Sequence, residues 1–493
     1  MTARSLMIQG TGSDVGKSLL VAGLCRIARR QGLKVAPFKP QNMSNNAAAL
    51  ENGGEIARAQ ALQALAAGCE PSVHHNPVLL KPESDRVSQI IVHGQQYKKM
   101  DAARFINTRD ELLSAVLDSF DELAANNDFV LVEGAGSPAE TNLRARDIAN
   151  MGFARAAGVP VCLVGDIERG GVIASLIGTH TVLDPLDAAM IKGFAVNKFR
   201  GDPTLFDDGV TTIEHTTGWP CFGVIPWLPA AARLPAEDAI TAMTKPLAHT
   251  STLKIVAPML SRMANFDDAD PLRLEPRVDF EFIPPGKPLP RDADLIILFG
   301  TKSTLGELAF IKEQGWDHDI IAHARAGGRV LGICGGYQML GRSVADPEGL
   351  DGRKGVSPGL GLLNVDTVMA ADKTVRRIAG ECSRTNTPLS GYEIHLGYTT
   401  GADCSRPLII HNDGNSDGAT SLNGRVQGTY IHGLLREDLY RSAFLQHCGE
   451  VQSELAYDAM VDAALNEVAD HFAASLNIEQ LFASAAIAEP TGG

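Results

Sequence analysis

No Cys-x-x-Cys pair occurs among the eight cysteines of this 493-residue chain. They stand alone at Cys25, Cys69, Cys162, Cys221, Cys334, Cys382, Cys404 and Cys448. That scatter suggests neither a zinc cluster nor a disulfide framework. Basic residues are outnumbered: the formal charge is −14. A broad nucleic-acid footprint, which needs clustered Lys and Arg, is therefore not expected. No apolar run reaches the length of a membrane span. The opening Met1-Thr2-Ala3-Arg4-Ser5 lacks a secretory pattern, so the cytosol is the expected compartment. Internal repeats and low-complexity blocks are absent as well. What is present is a hydrophobic fraction of 44%, ordinary for a globular protein. The length exceeds one ordinary core, so at least two domains are expected.

The first half alternates short β-rich runs with helical stretches, the rhythm of a parallel α/β sheet. Strands are expected at Ser5–Gln9, Lys34–Phe38, Phe129–Val132, Val159–Val164, Met190–Val196 and Gly223–Pro226, with a helix at Lys17–Gln31. The pattern dissolves into Ala, Pro and Thr near Pro229 to Ser251. A second α/β run then uses Leu253–Ala257, Leu295–Phe299, Arg329–Ile333 and Arg425–Ile431. The expected plan is a first α/β domain at 1–230, a linker at 231–251, a second α/β domain at 252–440 and a helical tail at 441–493. The last residues, Glu489 to Gly493, should fray.

Gly10-Thr11-Gly12-Ser13-Asp14-Val15-Gly16-Lys17-Ser18 lies between the first strand and the first helix. Glycines such as Gly12 and Gly16 let backbone N–H groups approach an anion. The helix terminus adds its dipole, and Lys17 adds a point charge. Ser18 can place a hydroxyl on Mg²⁺. A strict P-loop has Gly where Thr11 stands, so this is a variant. Glu133 ends a strand at the edge where open α/β sheets bind ligands, and is placed to share Mg²⁺ with Ser18. Asp166, at another strand end, is a second metal or substrate candidate.

Arg329-Val330-Leu331-Gly332-Ile333-Cys334-Gly335-Gly336-Tyr337-Gln338 reads as strand, sharp turn and helix: a nucleophile elbow with Cys at its apex. Gly332, Gly335 and Gly336 permit the turn. The helix N-terminus favours negative charge, and N–H groups such as that of Gly335 face an oxyanion. A base must come from elsewhere in the chain.

The variant phosphate loop resembles that of dethiobiotin synthetase and its relatives, which phosphorylate carboxylates or carbamates. ParA/MinD-type ATPases carry a further lysine where Gly12 stands, so a dimeric switch ATPase is disfavoured. In these relatives the position of Asn197 reads adenine. The Gly-x-Cys-x-Gly-x-Gln string, with His432 in Gln427-Gly428-Thr429-Tyr430-Ile431-His432-Gly433, resembles the class I glutamine amidotransferases. That resemblance implies a γ-glutamyl thioester on Cys334, with His432 as the proton shuttle. Gly300, in Leu298-Phe299-Gly300-Thr301-Lys302, matches the oxyanion loop, with Phe299 where Pro is common. Typical members follow the His with Pro-Glu. Here Gly433-Leu434 follows, which leaves a Cys-His dyad or a substitute acid such as Glu393 open, and His395 as a rival base.

A synthetase half before a glutaminase half resembles the cobyrinic-acid amidase family. Lys39-Pro40-Gln41-Asn42-Met43-Ser44-Asn45-Asn46, Val164-Gly165-Asp166-Ile167-Glu168-Arg169-Gly170-Gly171 and Asn197-Lys198-Phe199-Arg200-Gly201-Asp202 resemble the branch that makes cobyric acid. The resemblance implies ATP, Mg²⁺ and glutamine. It also implies amidation of four carboxylates of adenosylcobyrinic acid a,c-diamide, with Gln41, Asn42, Ser44 and Asn45 facing the corrinoid substrate. The sibling that makes the a,c-diamide, and a regulatory ATPase with a degenerate glutaminase module, are the alternatives. No tightly bound cofactor, nucleic acid or membrane partner is expected, and a homo-oligomer is left open.

Overall fold

The computed structural model describes residues 3–82, 87–101, 108–235, 253–352 and 354–487. Its first sheet is built from β1 (Arg4–Gly10), β2 (Val35–Phe38), β3 (Phe129–Glu133), β4 (Val161–Asp166), β5 (Ile191–Phe199) and β6 (Cys221–Pro226). Their order is β6-β5-β4-β1-β3-β2, and every neighbouring pair is parallel. Leu6, Met7 and Ile8 of β1 have no solvent exposure, as expected of a central strand covered on both faces. Strand order reverses beside β1, so its carboxyl end opens on the crevice where such sheets bind ligands. Helix α1 (Lys17–Arg30) starts there.

Helix α2 (Arg58–Ala67) follows a small hairpin of Ala47–Ala49 against Glu55–Ala57. The segment read as a polar substrate loop is partly strand. Gln41–Met43 pairs in parallel with Val78–Pro82 in a separate four-stranded sheet. The period-2 signal in three residues is too short to be seen in the sequence.

The second sheet contains β7 (Leu253–Pro258), β8 (Val278–Ile283), β9 (Leu295–Leu298), β10 (Arg329–Ile333), β11 (Ala419–Thr420) and β12 (Val426–Thr429). They run in the order β8-β7-β9-β10-β12-β11, with β11 alone antiparallel to its neighbour. Helix α3 (Gly335–Leu340) leaves β10 directly.

The helical stretch expected to be a tail returns to the first sheet's flank. Helix α4 (Tyr457–Ser475) buries Val461, Leu465, Val468 and Phe472 in one apolar cluster with Leu20, Leu24 and Ile27 of α1. Arg26 and Arg30 pair with Asp462 and Asp470 at 2.8 and 2.6 Å along the same contact. Ala486–Ile487 then adds an antiparallel bridge to Arg4 and Ser5. Residues 441–487 are therefore mainly helical, as expected, with Tyr457–Ser475 packed on α1, and the expected fraying at Glu489 to Gly493 lies outside the described residues. Of the expected linker, Pro229–Arg233 forms a short 3-10 turn and 236–251 lies outside the described residues.

The two units meet through the Ala47–Ala49 hairpin. Ala47, Ala49 and Ala57 pack with Tyr392 and Ile394 of the strand Pro388–His395. Side chains larger than alanine on this hairpin would push the two units apart.

Candidate active sites

Beyond β1 the chain turns through Gly16, whose φ of +94° lies in the left-handed region. A Cβ there would sit 2.4 Å from Asn197 Nδ2, so only glycine fits. Lys17 curls back over the loop, donating from Nζ to the carbonyls of Gly12 at 2.8 Å and Gly136 at 3.2 Å. Asn197 donates to the Val15 carbonyl at 2.8 Å and accepts from the Lys198 N–H at 2.8 Å. It thus braces the phosphate loop from behind, whereas the resemblance had implied adenine reading. Both uses begin from the same place at the end of β5.

Glu133 lies at the end of β3 with no solvent exposure. Oε1 accepts from Ser18 Oγ at 2.6 Å and Lys39 Nζ at 2.7 Å. Oε2 accepts from Gln63 Nε2 at 2.6 Å and Gln60 Nε2 at 3.1 Å. Burial alone would push this carboxyl up. The Lys39 ammonium and the hydrogen bonds of Lys39, Ser18 and Gln63 hold it below the usual range, so it stays ionised. Ser18 and Glu133 thus come together as expected. Lys39, Gln60 and Gln63 were not among the site candidates, although Lys39 stood in the quoted string.

Asp166 is not part of this group. It lies at the end of β4, across β1 from Glu133, and its recorded partners are Lys198 Nζ at 2.9 Å and the Glu168 N–H at 2.8 Å. The Gln41–Asn46 segment is also divided. Asn42 is buried and donates to Gln60 Oε1 at 2.9 Å, behind Glu133. Ser44 Oγ accepts from the Asn46 N–H at 3.0 Å. Asn46 Oδ1 accepts from the Asn265 N–H of the second unit at 2.8 Å. Gln41 stays partly exposed, and Asn45 keeps a buried Oδ1 with no hydrogen-bond partner among the described residues. Asn42 and Ser44, half of the expected substrate contacts, thus make hydrogen bonds within the first unit, while Asn46 beside them fastens the two units.

In the second unit Cys334 adopts φ 54° and ψ −113° between β10 and α3. This is backbone strain at the apex of the elbow. Gly336 makes the turn possible, since a Cβ there would lie 1.8 Å from the Leu298 carbonyl oxygen. The thiol donates weakly to the Ile394 carbonyl at 3.5 Å, and Cys334 lies close enough to His432 to act on its charge. Gly300 lies against both: a Cβ on it would be 3.2 Å from His432 Cε1 and 3.6 Å from Cys334 Cβ. Gly335 packs just as closely on Thr301.

The acid that orients His432 is Asp268. Its Oδ2 lies 2.7 Å from His432 Nδ1, and its Oδ1 accepts from the Gly433 N–H at 2.6 Å. The two residues are 164 positions apart, Asp268 standing in the short turn Phe266–Ala269. Burial would lower the imidazole pKa. The Asp268 carboxylate and Cys334 outweigh it and push the ring up to about 10, so it is protonated at neutral pH. Glu393, the substitute acid considered from sequence, is instead paired with Arg376 at 2.7 Å. His395 is stacked on Tyr430 at 3.8 Å and pushed down to about 4, chiefly by burial. The one sequence signal for Asp268 was the run Asp267-Asp268-Ala269-Asp270, with three acids inside an otherwise buried turn.

A cavity of about 30 Å³ opens against Cys334, lined also by Thr301, Lys302, Gln338, His395 and, from the first unit, Gln89. This array can attack a carboxamide with the thiol, stabilise an oxyanion with N–H groups at the elbow, and pass a proton through His432.

Comparison with known proteins agrees in both halves. Residues 6–241 match the CobQ/CobB/MinD/ParA nucleotide binding domain, and residues 254–440 match the CobB/CobQ-like glutamine amidotransferase domain. A protein of Hyphomonas neptunium named cobyric acid synthase is 62% identical over 99% of this chain and 98% of its own length. One of the same name from Paracoccus denitrificans is 60% identical over 98% of this chain and 99% of its own. A third, from Cereibacter sphaeroides, is 59% identical over the same shares. A parallel-sheet nucleotide-binding unit and a glutamine amidotransferase unit on one chain, matched from end to end by these relatives, place the protein in the cobyric acid synthase family.

Proposed function

We propose that this chain amidates the b, d, e and g carboxylates of adenosylcobyrinic acid a,c-diamide, using ATP and glutamine, to give cobyric acid. The observation that carries the reading is the presence of two complete sites on one chain, a phosphate loop beside ionised Glu133 and the Cys334–His432–Asp268 array.

At the second site the Cys334 sulfur attacks the glutamine carboxamide carbon, and the oxyanion is met by N–H groups of Gly300 and Gly335. His432 gives a proton to the departing nitrogen, releasing ammonia and leaving a γ-glutamyl thioester. Water, deprotonated by His432, then hydrolyses the thioester to glutamate. Asp268 keeps the ring in the orientation that serves both transfers.

At the first site a corrinoid carboxylate oxygen takes the γ-phosphoryl group of ATP, forming an acyl phosphate and ADP. Ammonia attacks the acyl carbon and phosphate leaves. Lys17 and Lys39 bring cationic charge to the transferring group, where it counts most in the transition state. Mg²⁺, for which the paired oxygens of Ser18 and Glu133 form a fitting donor set, would neutralise phosphate charge. Each turn consumes one glutamine, one ATP and one water, and yields glutamate, ADP, phosphate and one amide.

The test is mass spectrometry after incubating corrinoid acids with MgATP and glutamine. Four successive acid-to-amide steps from the a,c-diamide are expected. Amidation of cobyrinic acid that stops after two steps would replace this reading with the a,c-diamide synthase.

A further inference from the structure

The acid beside Asp268 is held by the other unit. Asp267 Oδ2 meets Arg58 Nε at 2.9 Å, with the Asp267 side chain buried and that of Arg58 nearly so. Arg58 is the first residue of α2, and its own N–H donates to the Asn46 carbonyl at 3.1 Å. Asn46 in turn accepts from the Asn265 N–H, so the Asn265–Asp268 turn is gripped twice by the first unit. Asn265, with φ 52°, also donates to Tyr392 Oη at 3.1 Å, and the Tyr392 ring stacks on His432 at 5.3 Å. The glutaminase base is thus oriented by one turn, and that turn is fastened from outside its own unit.

The same helix reaches the other site. Gln60 and Gln63 follow Arg58 within two turns, and both donate to Glu133 Oε2. One ten-residue helix therefore contacts the acid of the phosphate site and the turn of the glutaminase site. The groups facing Arg58 are Asp267, Asp268, Tyr392 and Tyr457. Asp267 keeps its second oxygen without a partner among the described residues, so Arg58 is its principal counter-ion.

We propose that Arg58 is a positioning residue for glutamine hydrolysis, and that the docked synthetase unit, through α2, is a structural part of the glutaminase site. The inference rests on the reading of Cys334 and His432 as a glutaminase. Arg58 touches neither glutamine nor Cys334. Its effect passes through Asp267 to the turn that sets Asp268, and from there to the angle of the imidazole. A rigid two-residue displacement of this kind alters the reacting geometry more than substrate binding.

The experiment measures glutamate release from glutamine by the full-length chain, separating kcat from KM, in Arg58→Met, Arg58→Lys and the double variant Arg58→Met/Asp267→Asn. Ammonia-driven amidation is followed in parallel as a control for folding. Arg58→Met should lower kcat about tenfold or more with KM for glutamine within about twofold, and Arg58→Lys should recover part of the loss. The double variant removes both buried charges, so it is read even if the single variant folds poorly. It should keep ammonia-driven amidation and remain slow with glutamine. Wild-type kcat in the double variant would mean that Arg58 only neutralises Asp267, and would overturn the proposal. So would unchanged kcat in Arg58→Met, or a loss confined to KM. Absence of glutamate release from the unaltered protein would instead remove the glutaminase reading itself.

Discussion

The two sites solve opposite electrostatic problems. At the phosphate site a buried carboxylate, Glu133, is kept ionised by one ammonium and three neutral donors. At the glutaminase site a buried imidazole, His432, is kept protonated chiefly by the Asp268 carboxylate. The first is a carboxylate paired with an ammonium beside the phosphate loop, suited to a cation and phosphates. The second is a positive centre prepared for a sulfur anion and an oxyanion. Their construction differs too. The phosphate loop is a continuous stretch of nine residues, whereas the glutaminase array draws Asp268, Cys334 and His432 from three distant segments. The loop itself depends on local backbone geometry, while Glu133, Lys39, Gln60 and Gln63 around it, like the glutaminase array, depend on how the whole unit packs.

The comparison breaks first at Lys17. Lys17→Ala should reduce ATP-dependent amidation below detection with either glutamine or ammonia, while glutamate release from glutamine survives. Product formation measured with both nitrogen sources checks this. Near-normal amidation would show that the phosphate loop does not serve phosphoryl transfer.

Next in size is the acid assignment. Asp268→Asn should lower glutamine hydrolysis by a factor on the order of 10² or more, because the amide can no longer stabilise the imidazolium or fix its tautomer. Glu393→Gln should stay within about threefold in the same glutamate-release assay. The reverse ranking would restore Glu393 as the orienting acid.

These two predictions differ in how much of them could be read in advance. Lys17, Ser18 and Glu133 were legible because a glycine loop between strand and helix has few alternative uses, and because a strand-end acid faces the crevice. Cys334 was legible for a similar reason: glycines crowd a strand-helix junction only when the turn is tight. Asp268 was not, because the run Asp267-Asp268-Ala269-Asp270 offers three acids and nothing local marks which of them acts on a residue 164 positions away. Gln60 and Gln63 were hidden for the same reason, as polar residues in an ordinary helix. Helix α4 read as a helical tail because its partner, α1, lies at the other end of the chain. Asn42, expected to face substrate, and its neighbour Asn46 show a second use of amides that the sequence does not mark. Amides look like ligand contacts in sequence, yet here Asn42 bonds Gln60 within the first unit and Asn46 bonds Asn265 across the domain seam.

The smallest expected effect is on stability. His432 has a raised value in the folded protein, so its pairing with Asp268 stabilises fully below the unfolded value of about 6.5 and is lost as pH rises through about 10. The difference in melting temperature between the protein and His432→Gln should therefore be constant at acid pH and shrink across that window. A difference that grows with pH would mean the ring is held neutral. By contrast, Glu133 is held below the usual carboxylate range, so its stabilising contribution is present at neutral pH and lost on acidification.

The central claim is that two separate chemistries share one chain, and Cys334→Ala tests it most directly. Alanine removes the sulfur from the elbow and keeps a small side chain there, so the fold should survive. Glutamine-dependent amidation should vanish, while amidation driven by a high concentration of ammonium chloride should persist, since Lys17, Ser18, Lys39 and Glu133 are untouched. A folded Cys334→Ala protein that is inactive even with ammonia would place the thiol in the ATP-dependent step and contradict the account.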